Sequence, residues 1–313
     1  MELIRGVHNL LPQHHGCVLT IGNFDGVHLG HQAVIGSLRA KGETLGLPVT
    51  VMTFEPQPQE LFQPDIAPPR LCTLTEKVAK LAELSVDRVL CASFNRKLAS
   101  LSAEQFVEEL IVSKLGVRHL VVGDDFRFGA KRLGDFEMLR QAGAKHGFSV
   151  ESTKSFCRQQ QRISSTLIRQ ALACGDLTLA EEMLGRPYSI SGRVFHGDKK
   201  GRQLGFPTAN LALKRHKVAL SGVFAVKVHL FEDDTVYQGV ANLGDRPTMN
   251  GREPRLEVHL FDYQGDLYGK RIEVQLLDKL RDEQKFESFA ALTAQIEKDT
   301  TQARRFFGAV PAN

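Results

Sequence analysis

The sequence predicts an α/β domain with a parallel sheet, followed by an antiparallel β-barrel that is closed by a helix. Residues 17–153 alternate between short apolar runs and stretches of helical spacing, which is typical of a parallel sheet with helices on both faces. At Gly185-Arg186-Pro187 the helical spacing ends, and apolar and polar residues alternate from Tyr188 onward. The 313 residues, 42% of them hydrophobic, suffice for two packed cores. We therefore predict two domains, residues 1–185 and 186–313.

Residues 17–153 of the first domain are predicted to contain five strands and four helices. Ser102 and Thr75 are predicted N-caps, and Gly116 and Gly147 are predicted helix stops. Since ligands of parallel sheets bind at the carboxyl ends of the strands, the loops at those ends are the candidate functional segments. The predicted strands are Val18–Ile21, Val49–Phe54, Arg88–Ser93, His119–Gly123 and Ser149–Ser152, and the predicted helices are Gln32–Leu45, Thr75–Leu84, Ala103–Leu115 and Phe136–His146.

The second domain is predicted to be a small barrel, because strand-like runs are separated by turn residues. The segment Phe286–Phe307 has helical spacing at Phe289, Leu292, Ile296 and Phe306 and is predicted to close the domain. The predicted strands are Ser189–Phe195, Gly222–Leu230, Tyr237–Leu243, Arg255–Phe261 and Arg271–Leu280.

Composition favours a cytoplasmic protein that binds small anions. The net charge of +4 is mild for this length, so it fits anionic small molecules better than a nucleic acid. Five scattered cysteines without a CxxC pair indicate reduced thiols rather than disulfides (Cys17, Cys72, Cys91, Cys157 and Cys174). No signal peptide and no membrane-spanning window is expected. We expect no nucleic-acid or membrane partner, and a monomer or a weak homo-oligomer.

The stretch Thr20–Gln32, TIGNFDGVHLGHQ, is the strongest candidate site. It joins a buried strand to a helix start, where backbone N–H groups and the positive helix end can bind an anion. His28 and His31 add two imidazole donors, and Gly30 keeps side-chain bulk away from an approaching phosphate. A purely structural turn is the main alternative. Zinc is disfavoured because no third ligand is obvious nearby.

Three further segments contain residues that are seldom found in a hydrophobic core. Thr53–Pro58, TFEPQP, holds two prolines; Val121–Gly129, VVGDDFRFG, combines acids, an arginine and two aromatics. Arg162–Leu172, RISSTLIRQAL, opens a helix with three hydroxyl residues, and Arg169 follows one turn later. Hydroxyls, helix-end N–H groups and an arginine suit phosphates, although an ordinary cap is the alternative for this segment alone.

Taken in order, these motifs resemble a known family. GxFDGxHxGH, VGDDFRFG and SSTxIR are similar to the nucleotidyltransferase half of the bacterial bifunctional riboflavin kinase/FMN adenylyltransferases, also called FAD synthetases. The resemblance implies a Rossmann-like domain in which His28, His31 and Arg169 act in catalysis. It implies ATP binding by Gly22, Asn23, Phe24, Asp25, His28, His31, Ser164, Ser165, Thr166 and Arg169, and flavin binding by Phe54, Pro56, Pro58, Phe62, Asp125 and Phe128. Gln57 stands where the family commonly has histidine, so no role is assigned to it.

The second domain resembles the riboflavin kinases. Its basic loop, His196–Leu211, contains GFPTAN (Gly205–Asn210), and alternate spacing puts Thr208 and Asn210 on one face of an extended segment. The resemblance implies Mg²⁺ binding by Thr208 and Asn210 and makes Glu257 the proton acceptor, although a lone glutamate on a strand is more often a solvated face residue. It implies nucleotide binding by Gly197, Lys200, Arg202, Gly205, Phe206, Pro207, Thr208 and Asn210.

The expected function is therefore Mg²⁺-ATP-dependent flavin cofactor synthesis. The barrel is expected to phosphorylate riboflavin to FMN, and the α/β domain to adenylylate FMN to FAD with release of pyrophosphate. One alternative is an adenylyltransferase for another acceptor, with the barrel as an accessory. The other is a flavin-binding sensor or carrier without catalysis.

Overall fold

The computed structural model describes residues 1–123, 125–153, 157–158, 161–197, 205–215, 217–232, 234–248 and 251–308. They divide into two compact units. The first unit comprises Met1–Pro68 and Leu74–Ser164, and the second comprises Pro69–Thr73 and the residues from Ser165 onward. The functional boundary after residue 185 stays a prediction.

The first unit is built on a six-stranded, wholly parallel sheet, which confirms the predicted fold class. The strand order is β1-β4-β3-β2-β5-β6, so the chain continues from β2 to β3 on one side and later adds β5 on the other side of β2. The loops that follow β2 and β5 therefore lie next to each other at a topological switch point. The edge strand β1 was not predicted, because only two of its four residues are apolar. The strands are β1 Glu2–Arg5, β2 Cys17–Ile21, β3 Val49–Glu55, β4 Arg88–Ser93, β5 Val117–Gly123 and β6 Ser149–Thr153, and the hairpin strands β7 Cys157–Arg158 and β8 Gln161–Arg162 follow them.

Hydrophobic clusters on both faces of the sheet pack against helices, as predicted. The segment Phe106–Lys114 continues α5 as a π-helix. The helices of this unit are α1 Leu29–Leu45, α2 Pro58–Phe62, α3 Leu74–Glu83, α4 Arg96–Ala99, α5 Ala103–Gln105 and α6 Phe136–His146, and single 3₁₀ turns span Val7–Asn9, Pro12–His14 and Ala130–Arg132.

Three of the four predicted capping and stop residues are correct, and helix α1 begins at Leu29, three residues before the predicted Gln32. Ser102 is an N-cap whose side chain accepts from Gln105 N–H at 3.1 Å. Gly116 and Gly147 follow helix ends with φ of 55° and 78°, a left-handed conformation that glycine adopts at low cost. Thr75 is not an N-cap, because α3 already begins at Leu74 and Thr75 lies inside its first turn.

The second unit contains a closed antiparallel barrel with the strand order β10-β13-β12-β11-β14-β9, which confirms the predicted barrel. Strand β10 was not predicted, because its four residues sit at the end of a loop rich in glycine and charge. The strands are β9 Tyr188–Phe195, β10 Ala209–Ala212, β11 Gly222–Leu230, β12 Thr235–Thr248, β13 Gly251–Leu260 and β14 Arg271–Arg281.

Three helices accompany the barrel: α7 Ser165–Ala173, α8 Leu177–Leu184 and α9 Phe289–Phe306. Helix α8 packs on β9 and β14. The closing helix α9 is present as predicted, but its predicted apolar stripe is wrong in part, since Phe289 and Phe306 are exposed. Its buried residues are Asp299 and Ala303, and Asp299 accepts from Arg281 Nε and Nη2 at 2.9 and 2.8 Å.

Three of the four cysteines whose side chains are described lie in the interior, as expected for core thiols, and the fourth does not. Cys17, Cys72 and Cys91 are buried and Cys174 is exposed. Burial raises the pKa of the Cys17 thiol to about 11, which keeps it protonated and unreactive. In the part of the chain that is described, no helix has the length and apolar character needed to cross a membrane.

Candidate active sites

The turn after β2 has a strained backbone that is fixed by the core. Phe24 and Val27 have φ of 46° and 43°, and Gly26 between them has φ of 82°. A left-handed conformation is unusual for a β-branched residue such as Val27 and costs energy. The side chains of Phe24 and Val27 are buried in the cluster under the turn, and this packing holds the backbone in place. The turn is therefore a rigid receptor at the switch point of the sheet.

His28 and His31 lie together at the start of α1. His28 is the N-cap, and its Nδ1 accepts a hydrogen bond from His31 N–H at 3.3 Å. Because Nδ1 is an acceptor, a neutral His28 carries its proton on Nε2 and offers a donor there. The two rings stack with centroids 3.6 Å apart and planes 18° apart. Gly30 is needed for this geometry, since a Cβ at that position would lie 3.2 Å from the His28 ring.

His31 is held in the neutral form. Burial, the neighbouring His28 and Lys77 together keep its pKa well below the ordinary value of 6.5. Its Nδ1 is buried and has no hydrogen-bond partner in the described structure. The ring therefore has hydrogen-bonding capacity that the protein itself does not use.

Lys77 lies under the same turn and was not identified from the sequence. Its Nζ donates to Thr53 Oγ1 at 3.3 Å, and the Thr53 hydroxyl donates to Asn23 O at 3.4 Å. Thr53 lies near the carboxyl end of β3 and is buried, as is Lys77. The signal available in the sequence was the position of Lys77 four residues before Leu81, on the apolar face of its helix.

The predicted flavin-binding loop follows β3 and forms an aromatic cluster. Pro56 follows a cis peptide bond, and Pro58 is the first residue of α2. Phe54 and Phe62 both contact Phe94 edge to face, with centroid distances of 5.5 and 5.8 Å. Phe62 is largely exposed and Phe54 is half-buried. The sequence did not single out Phe94, which joins the other two rings from the end of β4.

The loop after β5 is anchored by its second aromatic residue. Phe128 is buried, 5.5 Å from the Phe106 ring and 5.7 Å from the Phe126 ring. Asp125 is exposed in the turn, and Arg127 forms an ion pair with Asp135 at 3.4 Å. The assignment of Asp125 and Phe128 to flavin stays a prediction, and for Phe128 the described packing also explains an aromatic residue. Asp124 lies outside the described residues.

The hydroxyl cluster lies at a helix N-terminus, where the sequence located it. Ser164 directly precedes α7, and Ser165 and Thr166 are in its first turn. Arg169, one turn later, donates from Nε to Pro69 O at 2.7 Å, so the start of the side chain is fixed by the backbone of Pro69. The first-turn N–H groups of a helix of this length can bind an anion together with the hydroxyls.

The barrel aligns polar residues across three strands. Asn210 of β10 is directly opposite Glu257 of β13, which in turn is opposite Asn242 of β12. Directly paired residues project from the same face. Their chain neighbours Leu211, Leu256 and Val258 are completely buried in the barrel, so the three polar residues lie on its outer face.

Asn210 has an unused acceptor. Its Nδ2 donates to Thr208 O at 3.4 Å, while its Oδ1 is buried and without a partner in the described structure. Thr208 and Asn210 both line a cavity of about 440 Å³, as does Ala209 between them. Gly197 permits the close approach of its loop, because a Cβ there would lie 2.5 Å from the Asn210 amide.

The rest of this cavity comes from a segment that the sequence analysis did not single out. Residues 263–268 line it, and the Tyr268 ring packs on His196 with centroids 3.8 Å apart. The GFPTAN segment is fixed from β13, since His259 Nδ1 is 2.9 Å from Pro207 O and its ring contacts Phe206. Gly205 has φ of 83°. Lys200 and Arg202, two predicted nucleotide-binding residues, lie outside the described residues.

Comparisons with known proteins match both units. A family model described as FAD synthetase matches residues 10–167, and one described as riboflavin kinase matches residues 184–307. A protein of Escherichia coli strain K12, named bifunctional riboflavin kinase/FMN adenylyltransferase, is 54% identical over 98% of both chains. A protein of the same name from Haemophilus influenzae is 52% identical and covers 98% of this chain and 99% of its own.

A solved structure covers both units as well. The crystal structure of a protein described as a macrolide-efflux protein, from Streptococcus pneumoniae, matches with a TM-score of 0.80 and 30% identity. The match covers 96% of this chain and 98% of that one.

Proposed function

Since this chain belongs to the family of bifunctional riboflavin kinase/FMN adenylyltransferases, we propose that it carries out both reactions of that name. Riboflavin is phosphorylated by ATP to FMN in the second unit. FMN is then adenylylated by a second ATP to FAD, with release of pyrophosphate. The observation that carries the proposal is 54% identity to a curated enzyme over 98% of both chains, with both family regions in order.

In the kinase reaction the ribityl 5′-hydroxyl of riboflavin attacks the γ-phosphorus of ATP. A new P–O bond forms, the bond to ADP breaks, and Glu257 takes the proton from the hydroxyl. Glu257 is suited to this role because it lies directly across from Asn210, which lines the cavity. The cavity then holds the nucleotide.

Thr208 and Asn210 are the proposed Mg²⁺ ligands. The buried, unpartnered Oδ1 of Asn210 fits a metal that prefers oxygen donors, and such an atom is costly to leave unused. When bound, Mg²⁺ neutralises charge on the phosphates of the nucleotide.

In the adenylyl transfer a phosphate oxygen of FMN attacks the α-phosphorus of ATP, and pyrophosphate leaves. The attacking group is already anionic, so no protein nucleophile is needed. The protein must align two phosphates and stabilise charge on the leaving group. His28 contributes its Nε2–H and His31 a neutral imidazole. The β- and γ-phosphates of ATP, which leave as pyrophosphate, are proposed to bind to Arg169 and to the N-terminus of α7 with its hydroxyl residues, Ser164, Ser165 and Thr166.

The flavin of this step is assigned to the loop after β3. The exposed Phe62 ring and the neighbouring Pro56 and Pro58 offer apolar surface, and Phe54, Asp125 and Phe128 complete the proposed set. We place the enzyme in the cytoplasm as a monomer or a weak homo-oligomer, to be tested by light scattering over a range of protein concentrations.

Product analysis tests the proposal against its alternatives. Purified protein is incubated with riboflavin, ATP and Mg²⁺, and the flavins are separated by chromatography. FMN followed by FAD supports the proposal. FMN without FAD, even when FMN is supplied, would contradict the adenylyltransferase assignment. No product despite flavin binding would indicate a sensor or carrier. An otherwise identical reaction without Mg²⁺ is the control for the metal.

A further inference from the structure

Lys77 is a completely buried amine without an acidic partner. Only 1% of the residue is exposed, and one of its three donors is used, in the hydrogen bond to Thr53 Oγ1 at 3.3 Å. Among the described residues no carboxylate lies within ion-pair distance of Nζ. Glu76 and Asp25 are buried acids of the same helix and of the turn, and neither forms an ion pair with Lys77.

Burying the Lys77 amine without a counter-charge is energetically unfavourable unless the protein binds an anion next to it. A charge removed from water is strongly unfavourable until it is paired, so buried lysines in proteins nearly always have a counter-charge. Lys80, one turn further along the same helix, shows the ordinary arrangement and forms an ion pair with Glu83 at 3.0 Å. Lys77 is buried and has no such pair among the described residues.

The position of Lys77 identifies the kind of anion. Through Thr53 it is connected to the carbonyl of Asn23, which belongs to the phosphate-binding turn. Its charge also acts on His31, whose pKa it lowers. The ammonium group therefore lies directly beneath the turn. Direct contact with a ligand is not required, because charges in low-dielectric surroundings interact over several ångströms.

We propose that Lys77 is a positioning residue of the adenylyltransferase site, a fixed positive charge whose missing partner is a phosphate group of the substrates. The inference rests on the proposed function, since it takes that site to be the one after β2. The phosphate can come from ATP or from FMN. Lys77 stabilises the phosphate of either substrate through its electrostatic field, and it also holds Thr53 and the turn in place.

The test is Lys77→Met, which keeps the volume and removes the charge. Without ligand, its melting temperature is expected to equal or exceed that of the wild type, because an unpaired buried charge is gone. The upward shift of the melting temperature on adding Mg²⁺-ATP or FMN, each alone, is expected to be lost for the ligand whose phosphate is the partner. Adenylylation of FMN is expected to fall by about 10²–10³ in kcat/KM, and FMN formation to stay unchanged.

Lys80→Met is the matched control on the same helix and is expected to leave every measurement unchanged. Unaltered ligand shifts and adenylylation in Lys77→Met would overturn the proposal. If Lys77→Met does not fold, Lys77→Arg decides. If this larger but still charged variant keeps the increase in melting temperature on ligand addition, the charge at position 77 is what stabilises the ligand. If the increase is lost, Lys77 serves only for packing and the proposal is overturned. A wild type that makes no FAD would refute the proposed function instead, while the ligand shifts would still test Lys77.

Discussion

His28 has two separable roles, one for each ring nitrogen. Nδ1 caps α1 by accepting from His31 N–H, and Nε2 is the nitrogen that we propose as a donor to the nucleotide. His28→Ala removes both nitrogens. Loss of an N-cap costs typically about 1 kcal/mol, which corresponds to about 2–4 °C in the melting temperature of a domain of this size. Loss of one donor to developing charge costs about 10²–10³ in rate.

Two substitutions can separate these effects. Asn is among the best N-caps, so His28→Asn is expected to restore the melting temperature while adenylylation stays low. Gln is a poor cap, but its amide nitrogen reaches the position of Nε2, so His28→Gln is expected to regain part of the rate and none of the stability. FAD formation from supplied FMN and thermal unfolding measure the two quantities. FMN formation from riboflavin is the internal control, because it belongs to the other unit.

Two results would refute this reasoning. If His28→Asn forms FAD at the wild-type rate, the imidazole acts only as a cap and its donor has no part in catalysis. If folded His28 variants lose FMN and FAD formation equally, the assignment of the two reactions to separate sites is wrong.

Three further predictions concern other parts of the chain. Glu257→Gln is expected to lower the rate of FMN formation by about 10²–10⁴ while ADP binding is retained, whereas Asn210→Ala is expected to change the dependence of that rate on Mg²⁺ concentration. Near-normal kinetics of Glu257→Gln would show that Glu257 is only a surface residue of its strand. Fragments starting at Arg186 or at Asp176 are both expected to fold and make FMN but no FAD. Only the longer one keeps the two buried leucines of α8, so urea unfolding should show it more stable by at least about 3 kcal/mol, and equal stability would contradict the packing of α8. The pKa of His31 is lowered below 6.5 in the folded protein, so on acidification the unfolded chain binds this proton before the folded chain does. Below pH 6.5 the free energy of unfolding should therefore fall more steeply for the wild type than for His31→Asn, by up to about 1.4 kcal/mol per pH unit. Parallel pH profiles of the two proteins would contradict this prediction.

The elements with a strong local pattern could be predicted from the sequence. Strands β2 to β5 are rich in apolar residues and mostly buried, whereas the edge strand β6 has a single apolar residue; all five were located to within two residues of their observed ends. Helix α6 was predicted with its observed bounds, with Gly147 as its stop, and the structure adds Asp135 as its N-cap. The short strands β1 and β10 have too few residues for a period, and they exist only because a neighbouring strand supplies the hydrogen bonds.

The candidate sites were predictable where a motif lies within one segment. His28 and His31 belong to one turn and were identified together. Lys77 and Phe94 were not, since each reaches its site from an element far along the chain, and nothing in its own segment indicates the partner. The pairing of Asn210 with Glu257 likewise depends on the register of β10 and β13, which only the folded barrel defines.

The second unit also takes a short strap from the first half of the chain, and this affects the order of synthesis. Arg215, which is buried, donates from Nη1 to Leu71 O at 3.2 Å, across 144 residues of sequence, and to the Tyr188 hydroxyl at 2.9 Å. At the usual ribosomal speed of about 5–20 residues per second, Leu71 leaves the ribosome roughly 7–30 s before Arg215 does. During that interval the segment Pro69–Thr73 must stay available while the residues on either side of it fold around the parallel sheet. The second unit therefore includes a segment that is synthesised long before its barrel strands, and a gene divided between the two reactions would separate Arg215 from Leu71 while keeping the barrel strands together.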